Sequence, residues 1–156
     1  MIRIGDKLPA HTFSFITDAG KTSADSATLF GNHKVVIFAV PGAFTPTCSN
    51  AHLPDFVVLA DRFKAKGVSL YCLSVNDTFV MHAWQQAQNA EAITMLADGN
   101  GAFTQALGLA KDTGDFGGLR AQRFALVAEN GVVTALQVEA PGKFEVSSAE
   151  AMLELV

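Results

Sequence analysis

Cys48 closes the stretch Pro41-Gly42-Ala43-Phe44-Thr45-Pro46-Thr47 and is followed, four residues on, by His52. Upstream, Val35-Val36-Ile37-Phe38-Ala39-Val40 is a short apolar run rich in β-branched residues, the pattern of a strand buried on both faces. Downstream, Leu53, Phe56, Val57, Ala60 and Phe63 recur at spacings of three and four, the apolar stripe of a helix. The thiol therefore falls in the opening turn of a helix, where free backbone N–H groups and the helix dipole favour an anion. Because the thiolate is the nucleophilic form of cysteine, this is a place for a reactive sulfur. Most free cysteines are instead small buried hydrophobes. Against that stand two prolines, a glycine and two threonines, which make a rigid, hydroxyl-bearing turn. Thr45 is placed to hydrogen-bond whatever the sulfur attacks, and Pro41 and Pro46 to shield it. The local residues alone leave both readings open.

The other candidate groups are weaker. His52 would share a face with Cys48 on a regular helix, which makes a Cys-His nucleophile pair conceivable. No orienting partner or oxyanion site is marked, so His52 reads as a supporting hydrogen-bonding or packing residue. His11, His33 and His82 show no ligand spacing with one another or with a cysteine, and neither a metal nor a cofactor is expected.

The elements that must carry these residues can be read in order. The chain has 156 residues, 49% of them apolar, which fits one compact domain over 1–156 with a substantial core. A formal charge of −4 with no basic run argues against nucleic acid and anionic membranes. No apolar stretch has the length of a membrane span, and the N-terminus lacks a signal-like h-region, so a cytoplasmic setting is the expectation. Two cysteines, Cys48 and Cys72, make no disulfide scaffold and suit a reducing compartment. Gly5 to Thr22, with alternating Thr12-Phe13-Ser14-Phe15, predicts a hairpin over one edge of a sheet, and Ser26 to His33 a helical turn. Val68 to Val75 is the next buried strand, Asp77 or Thr78 caps a helix through Trp84 to Gln88, and Ile93 to Leu96 and Gly101 to Leu107 are a strand and a helix. Gln122 to Ala128 and Val132 to Glu139 are strands joined at Glu129-Asn130-Gly131, and Ser148 to Leu155 is the last helix.

Pro-Gly-Ala-Phe-Thr-Pro-Thr-Cys-Ser with His52-Leu53-Pro54 resembles the active-site signature of the peroxiredoxins, and within them of the type II, peroxiredoxin-five-like branch. The resemblance continues through Lys64-Ala65-Lys66-Gly67-Val68, Cys72-Leu73-Ser74-Val75-Asn76-Asp77, Phe79-Val80, Trp84, Leu96-Ala97-Asp98 and Gln122-Arg123-Phe124, nearly the whole chain. It implies a thioredoxin-like α/β fold: a central mixed sheet flanked by helices, with an N-terminal β-hairpin. Two βα units followed by a hairpin and a helix agree with that. It also implies a thiol-dependent peroxidase. Cys48 would attack hydrogen peroxide or an alkyl hydroperoxide and become a sulfenic acid. Thr45 would exchange hydrogen bonds with the peroxide, Arg123 would keep Cys48 ionised and stabilise the leaving oxygen, and Pro41 would limit access to the sulfur. Arg120 competes with Arg123 for that role, and strand parity expects the two to project to opposite faces. The match immediately before Phe124-Ala125-Leu126-Val127 favours Arg123.

Cys72 lies mid-strand, where thiols are usually inert. The C-terminal region in which some type II members carry a resolving cysteine reads Phe144-Glu145-Val146-Ser147-Ser148-Ala149. A one-Cys mechanism is therefore expected, with an outside thiol as reductant: glutathione with glutaredoxin first, thioredoxin second. A thiol transferase of related fold would show Cys-x-x-Cys, which Thr45-Pro46-Thr47-Cys48 lacks. A non-catalytic module on the same scaffold is the other alternative. Lys111 to Leu119 reads as a glycine-rich loop presenting Phe116, which with Phe44 and Phe79 is expected to anchor a homodimer.

Overall fold

The computed structural model describes residues 1–156. Five strands form one sheet in the order β5-β4-β3-β8-β9. The apolar run became β3 (Lys34–Ala39), the central strand, parallel to β4 (Val68–Ser74) and antiparallel to β8 (Phe124–Glu129). β5 (Thr94–Ala97) extends the parallel side, and β9 (Val132–Val138) closes the antiparallel one. This is the expected mixed sheet.

Alternation along β3 and β8 divides the core in two. Val36, Phe38, Ala125 and Val127 face α2 (Leu53–Ala65), α3 (Thr78–Ala87) and α5 (Ala149–Leu153), and Cys48 and Cys72 belong to this layer. Val35, Ile37, Ala39, Phe124 and Leu126 face the other way, against Phe13, Phe30 and Phe103. These rings come from the N-terminal hairpin of β1 (Thr12–Thr17) and β2 (Gly20–Asp25), from α1 (Ser26–Phe30) and from α4 (Ala102–Leu107). The hairpin lies against the edge strand β5, as expected.

Helix starts follow the capping residues. Asp77 accepts from the Val80 N–H at 2.8 Å, Ser148 from Ala151 at 3.1 Å, and Asp25 from Thr28 at 2.8 Å, each satisfying an orphan donor of a first turn. Asp98, buried, takes the N–H groups of Phe103 and Thr104 together with the Thr104 hydroxyl.

The segment expected to be a bare loop carries structure. Residues Ala110–Asp112 (β6) and Leu119–Ala121 (β7) pair antiparallel as a second small hairpin around a 3-10 turn at Gly114–Phe116. Three-residue strands give too little alternation to be read from sequence. This hairpin also separates Arg120 from the strand that follows Arg123.

Candidate active site

After β3 the chain runs through Pro41 to Thr47 and begins to coil at Pro46, so that Cys48 opens a π-helical turn, Cys48–His52, continuous with α2. The Leu53 N–H reaches back to the Cys48 carbonyl, one residue further than an α-helix would. Pro54, with no N–H to give, cannot continue an α-ladder through this turn. Phe44 takes a left-handed φ of 64°, a costly conformation for a bulky residue. The loop is tied from below by Asn76, whose Oδ1 accepts from the Ala43 N–H at 3.0 Å and from the Ser74 hydroxyl at 2.6 Å. The indole N–H of Trp84 donates to the Ser49 hydroxyl at 3.0 Å.

Cys48 is wholly buried, and Arg123 reaches it from the opposite side of the molecule's sequence. Arg123 precedes β8 by one residue and has the parity of Ala125 and Val127, so its side chain crosses the same face of the sheet as α2. Nη2 donates to Cys48 Sγ at 3.1 Å, and Nη1 donates to His52 Nδ1 at 2.7 Å. His52 in turn donates from Nε2 to the Ser147 carbonyl at 2.8 Å. Burial, and after it the Arg123 charge, push the His52 pKa down to about 3, so the ring is neutral at pH 7. Glu139 is buried too, which by itself would raise its pKa. The Ser147 hydroxyl and three backbone N–H groups outweigh that and hold the carboxyl below its ordinary value.

Beside the Cys48 loop opens a cleft of about 430 Å³ lined by Pro41, Thr45, Thr47, Phe116, Arg120, Arg123 and Phe144 among others. The Thr45 hydroxyl donates to the Gly42 carbonyl at 2.6 Å, which leaves its lone pairs free to accept. Of the four residues picked out for chemistry, Pro41, Thr45 and Arg123 line the cleft, and Cys48, buried outside its lining, is joined to it through Arg123. No cluster of three or more His, Cys, Asp or Glu side chains could hold a metal ion.

A family model described as Redoxin matches residues 3–153. Peroxiredoxin-2D of Arabidopsis thaliana is 44% identical over 157 residues, spanning 98% of this chain and 97% of that protein. The chain belongs to the peroxiredoxins. Within them it falls in the type II branch, and its activity is thiol-dependent peroxide reduction. Among solved structures, the reduced Prx3 of Vibrio vulnificus in complex with H2O2 superposes with a TM-score of 0.96 at 59% identity, covering 99% of both chains. The Plasmodium falciparum antioxidant protein, described as a 1-Cys peroxiredoxin, superposes with a TM-score of 0.89 at 26% identity over 99% of this chain and 98% of that one.

The arginines of this peroxiredoxin depart from the expected geometry, and His52 follows it. Arg120 does not face away from Arg123, because the chain turns between β7 and β8 and strand parity does not carry across the turn; both line the cleft. Arg120 Nη1 donates to the Pro41 carbonyl at 2.9 Å, and its guanidinium lies 5.6 Å from the centre of the Phe116 ring. It is packed so closely against Gly42 and Gly117 that a Cβ at either position would strike the guanidinium. His52 is the expected supporting hydrogen-bonding residue, and its partner is Arg123.

Cys72 pairs across the sheet with Phe38 and Met95 and is fully buried. Burial, and secondarily the proximity of Cys48, push its pKa well above the ordinary thiol value. Glu139 and Ser147 carry no motif that would have marked them, and Asn76, although inside the stretch Leu73-Ser74-Val75-Asn76-Asp77, has no role assigned there. Each is polar and buried or half-buried, and only their partners reveal what they do.

Proposed function

We propose that Cys48 is the peroxidatic cysteine and that it works by a one-Cys mechanism. The observation that carries this reading is the 3.1 Å hydrogen bond from Arg123 Nη2 to Cys48 Sγ, set against a second thiol, Cys72, sealed inside β4. The Cys48 thiolate attacks one peroxide oxygen. An S–O bond forms as the O–O bond breaks, sulfur gives up two electrons to the breaking bond, and the departing oxygen takes a proton from solvent to leave as water or an alcohol. Arg123 neutralises charge on sulfur before attack and on the leaving oxygen after it. Thr45 accepts a hydrogen bond from the peroxide O–H, and Pro41 with Arg120 forms the wall of the cleft.

An external thiol then condenses with the sulfenic acid, releasing water and leaving a mixed disulfide, which a second thiol reduces. Glutathione with glutaredoxin is the preferred reductant, with thioredoxin the alternative, and a reducing compartment such as the cytoplasm suits both. The cleft beside the Cys48 loop is far larger than hydrogen peroxide and has room for such a thiol. The Plasmodium relative described as a 1-Cys peroxiredoxin supports the same reading. The protein is further proposed to form a homodimer through exposed Phe44, Phe79 and Phe116, the last 83% exposed.

The mass of the protein after one equivalent of hydrogen peroxide tests the mechanism. A sulfenic acid without glutathione, and a glutathione adduct on Cys48 with it, are expected. A loss of two hydrogens, the mark of a Cys48–Cys72 disulfide, would overturn the one-Cys mechanism.

A further inference from the structure

Arg123 is gripped at three points. Nη2 meets Cys48, Nη1 meets His52, and its backbone carbonyl accepts the Glu139 N–H at 3.0 Å. A guanidinium only donates, so His52 Nδ1 must offer a lone pair, and the ring's single proton sits on Nε2, facing the Ser147 carbonyl. Ser147 is held in its turn by Glu139, whose Oε2 accepts from the N–H groups of Glu145, Val146 and Ser147 at 2.8, 2.9 and 2.8 Å and from the Ser147 hydroxyl at 2.7 Å. The contacts close on themselves: Arg123 backbone, Glu139, Ser147, His52, Arg123 side chain. We infer that this ring aims the guanidinium, with neutral His52 and buried Glu139 as positioning residues for the reaction at Cys48.

Charge in the cleft explains why such a device is needed. Glu139 is the one carboxylate among the residues lining it, beside the cations Lys111, Arg120, Arg123 and Lys143. A free carboxylate there would draw Arg123 into a bidentate pair and away from sulfur. Four donors hold its Oε2 toward the 145–147 segment instead, and that segment supplies the carbonyl that selects the His52 tautomer. Packing completes the restraint, since Phe38, Phe56 and Phe144 lie with ring centres 5.1, 5.7 and 4.8 Å from that of His52, leaving the imidazole little freedom to turn. A protonated His52 would put a donor against a donor at Nη1, which the arrangement excludes.

The inference rests on Cys48 and Arg123 being the reacting pair, so the experiment measures both levels. Stopped-flow rate constants for hydrogen peroxide and the pH profile of Cys48 alkylation are compared for wild type, Arg123→Ala, His52→Leu, His52→Asn and Glu139→Gln, with circular dichroism to confirm folding. His52→Leu removes the acceptor, and Asn restores one near the position of Nδ1. His52→Leu is expected to slow peroxide reduction roughly tenfold or more and to move alkylation to higher pH, with His52→Asn recovering most of both. Glu139→Gln, which weakens the hold on Ser147, is expected to fall between. A His52→Leu protein matching wild type while Arg123→Ala is slow would overturn the ring and leave the site standing; equal losses in Leu and Asn would overturn the acceptor role. Should His52→Leu not fold, Glu139→Gln with wild-type rate and profile overturns the inference by itself. A wild-type rate or an unchanged alkylation profile in Arg123→Ala would bring down the underlying site.

Discussion

Arg123 Nη2 lies 3.1 Å from Cys48 Sγ although 75 residues separate the two in sequence. The approach depends on β8 running antiparallel beside β3, which carries Arg123 to the end of the sheet where β3 delivers the Cys48 loop. Alkylation rate against pH reads this contact. Arg123→Ala is expected to shift the profile upward and to slow peroxide reduction by roughly a hundredfold, the scale of losing one preorganised charged donor. An unchanged profile would remove Arg123 from the site.

Arg120 makes a different prediction. It holds the Pro41 carbonyl and not the sulfur, so Arg120→Ala should leave the alkylation profile in place while lowering stability by about 1–2 kcal/mol, through the lost hydrogen bond and packing. Urea unfolding of the two alanine variants separates the roles. A profile shift in Arg120→Ala as large as that in Arg123→Ala would show that both arginines serve the thiolate.

The two cysteines differ in the same testable way. Cys48→Ser should abolish turnover with peroxide, and Cys72→Ser should keep most of it, because Cys72 lies between Phe38 and Met95 with its thiol held neutral by burial. Steady-state peroxide consumption with an excess of external thiol decides this. Loss of turnover in Cys72→Ser would make it a resolving residue.

Acid should weaken the fold through His52. Its folded pKa of about 3 lies below the ordinary 6.5, so between these values the unfolded chain binds a proton that the native protein refuses. Stability is then complete above pH 6.5 and falls on acidification, by up to about 1.4 kcal/mol per pH unit. Glu139, also lowered, adds its own loss only below the ordinary 4.5. Urea midpoints between pH 7 and 5 therefore isolate His52, and His52→Asn should show the shallower slope; identical slopes would mean that His52 is protonated in the native state.

Sedimentation tests the proposed dimer. Phe116 is 83% exposed on the short hairpin of β6 and β7 and is linked through Arg120 to the Pro41 carbonyl, so Phe116→Glu should yield a monomer and also slow peroxide reduction. A wild-type monomer of full activity, or a dimeric mutant, would contradict it.

Much of this protein was written locally. The apolar run before Pro41, the three-and-four spacing after Cys48 and the caps at Asp77 and Ser148 are short-range patterns, and each element formed within a residue or two of its expected limits. The apolar pattern of a strand and the capping of a helix lie among neighbours in the chain, which is why sequence could decide them. The loop motif likewise carried its own signature, so Cys48, Thr45 and Pro41 could be named before any fold was known. Arg123 needed the motif before Phe124, because spacing alone could not choose it over Arg120. Parity failed for that pair since it holds within one strand, and the chain turns between β7 and β8. Glu139, Ser147 and the role of His52 were decided only by tertiary structure. Their significance lies in hydrogen bonds between residues that the antiparallel sheet and the C-terminal segment bring together, and a buried polar group takes its meaning from the partner that satisfies it.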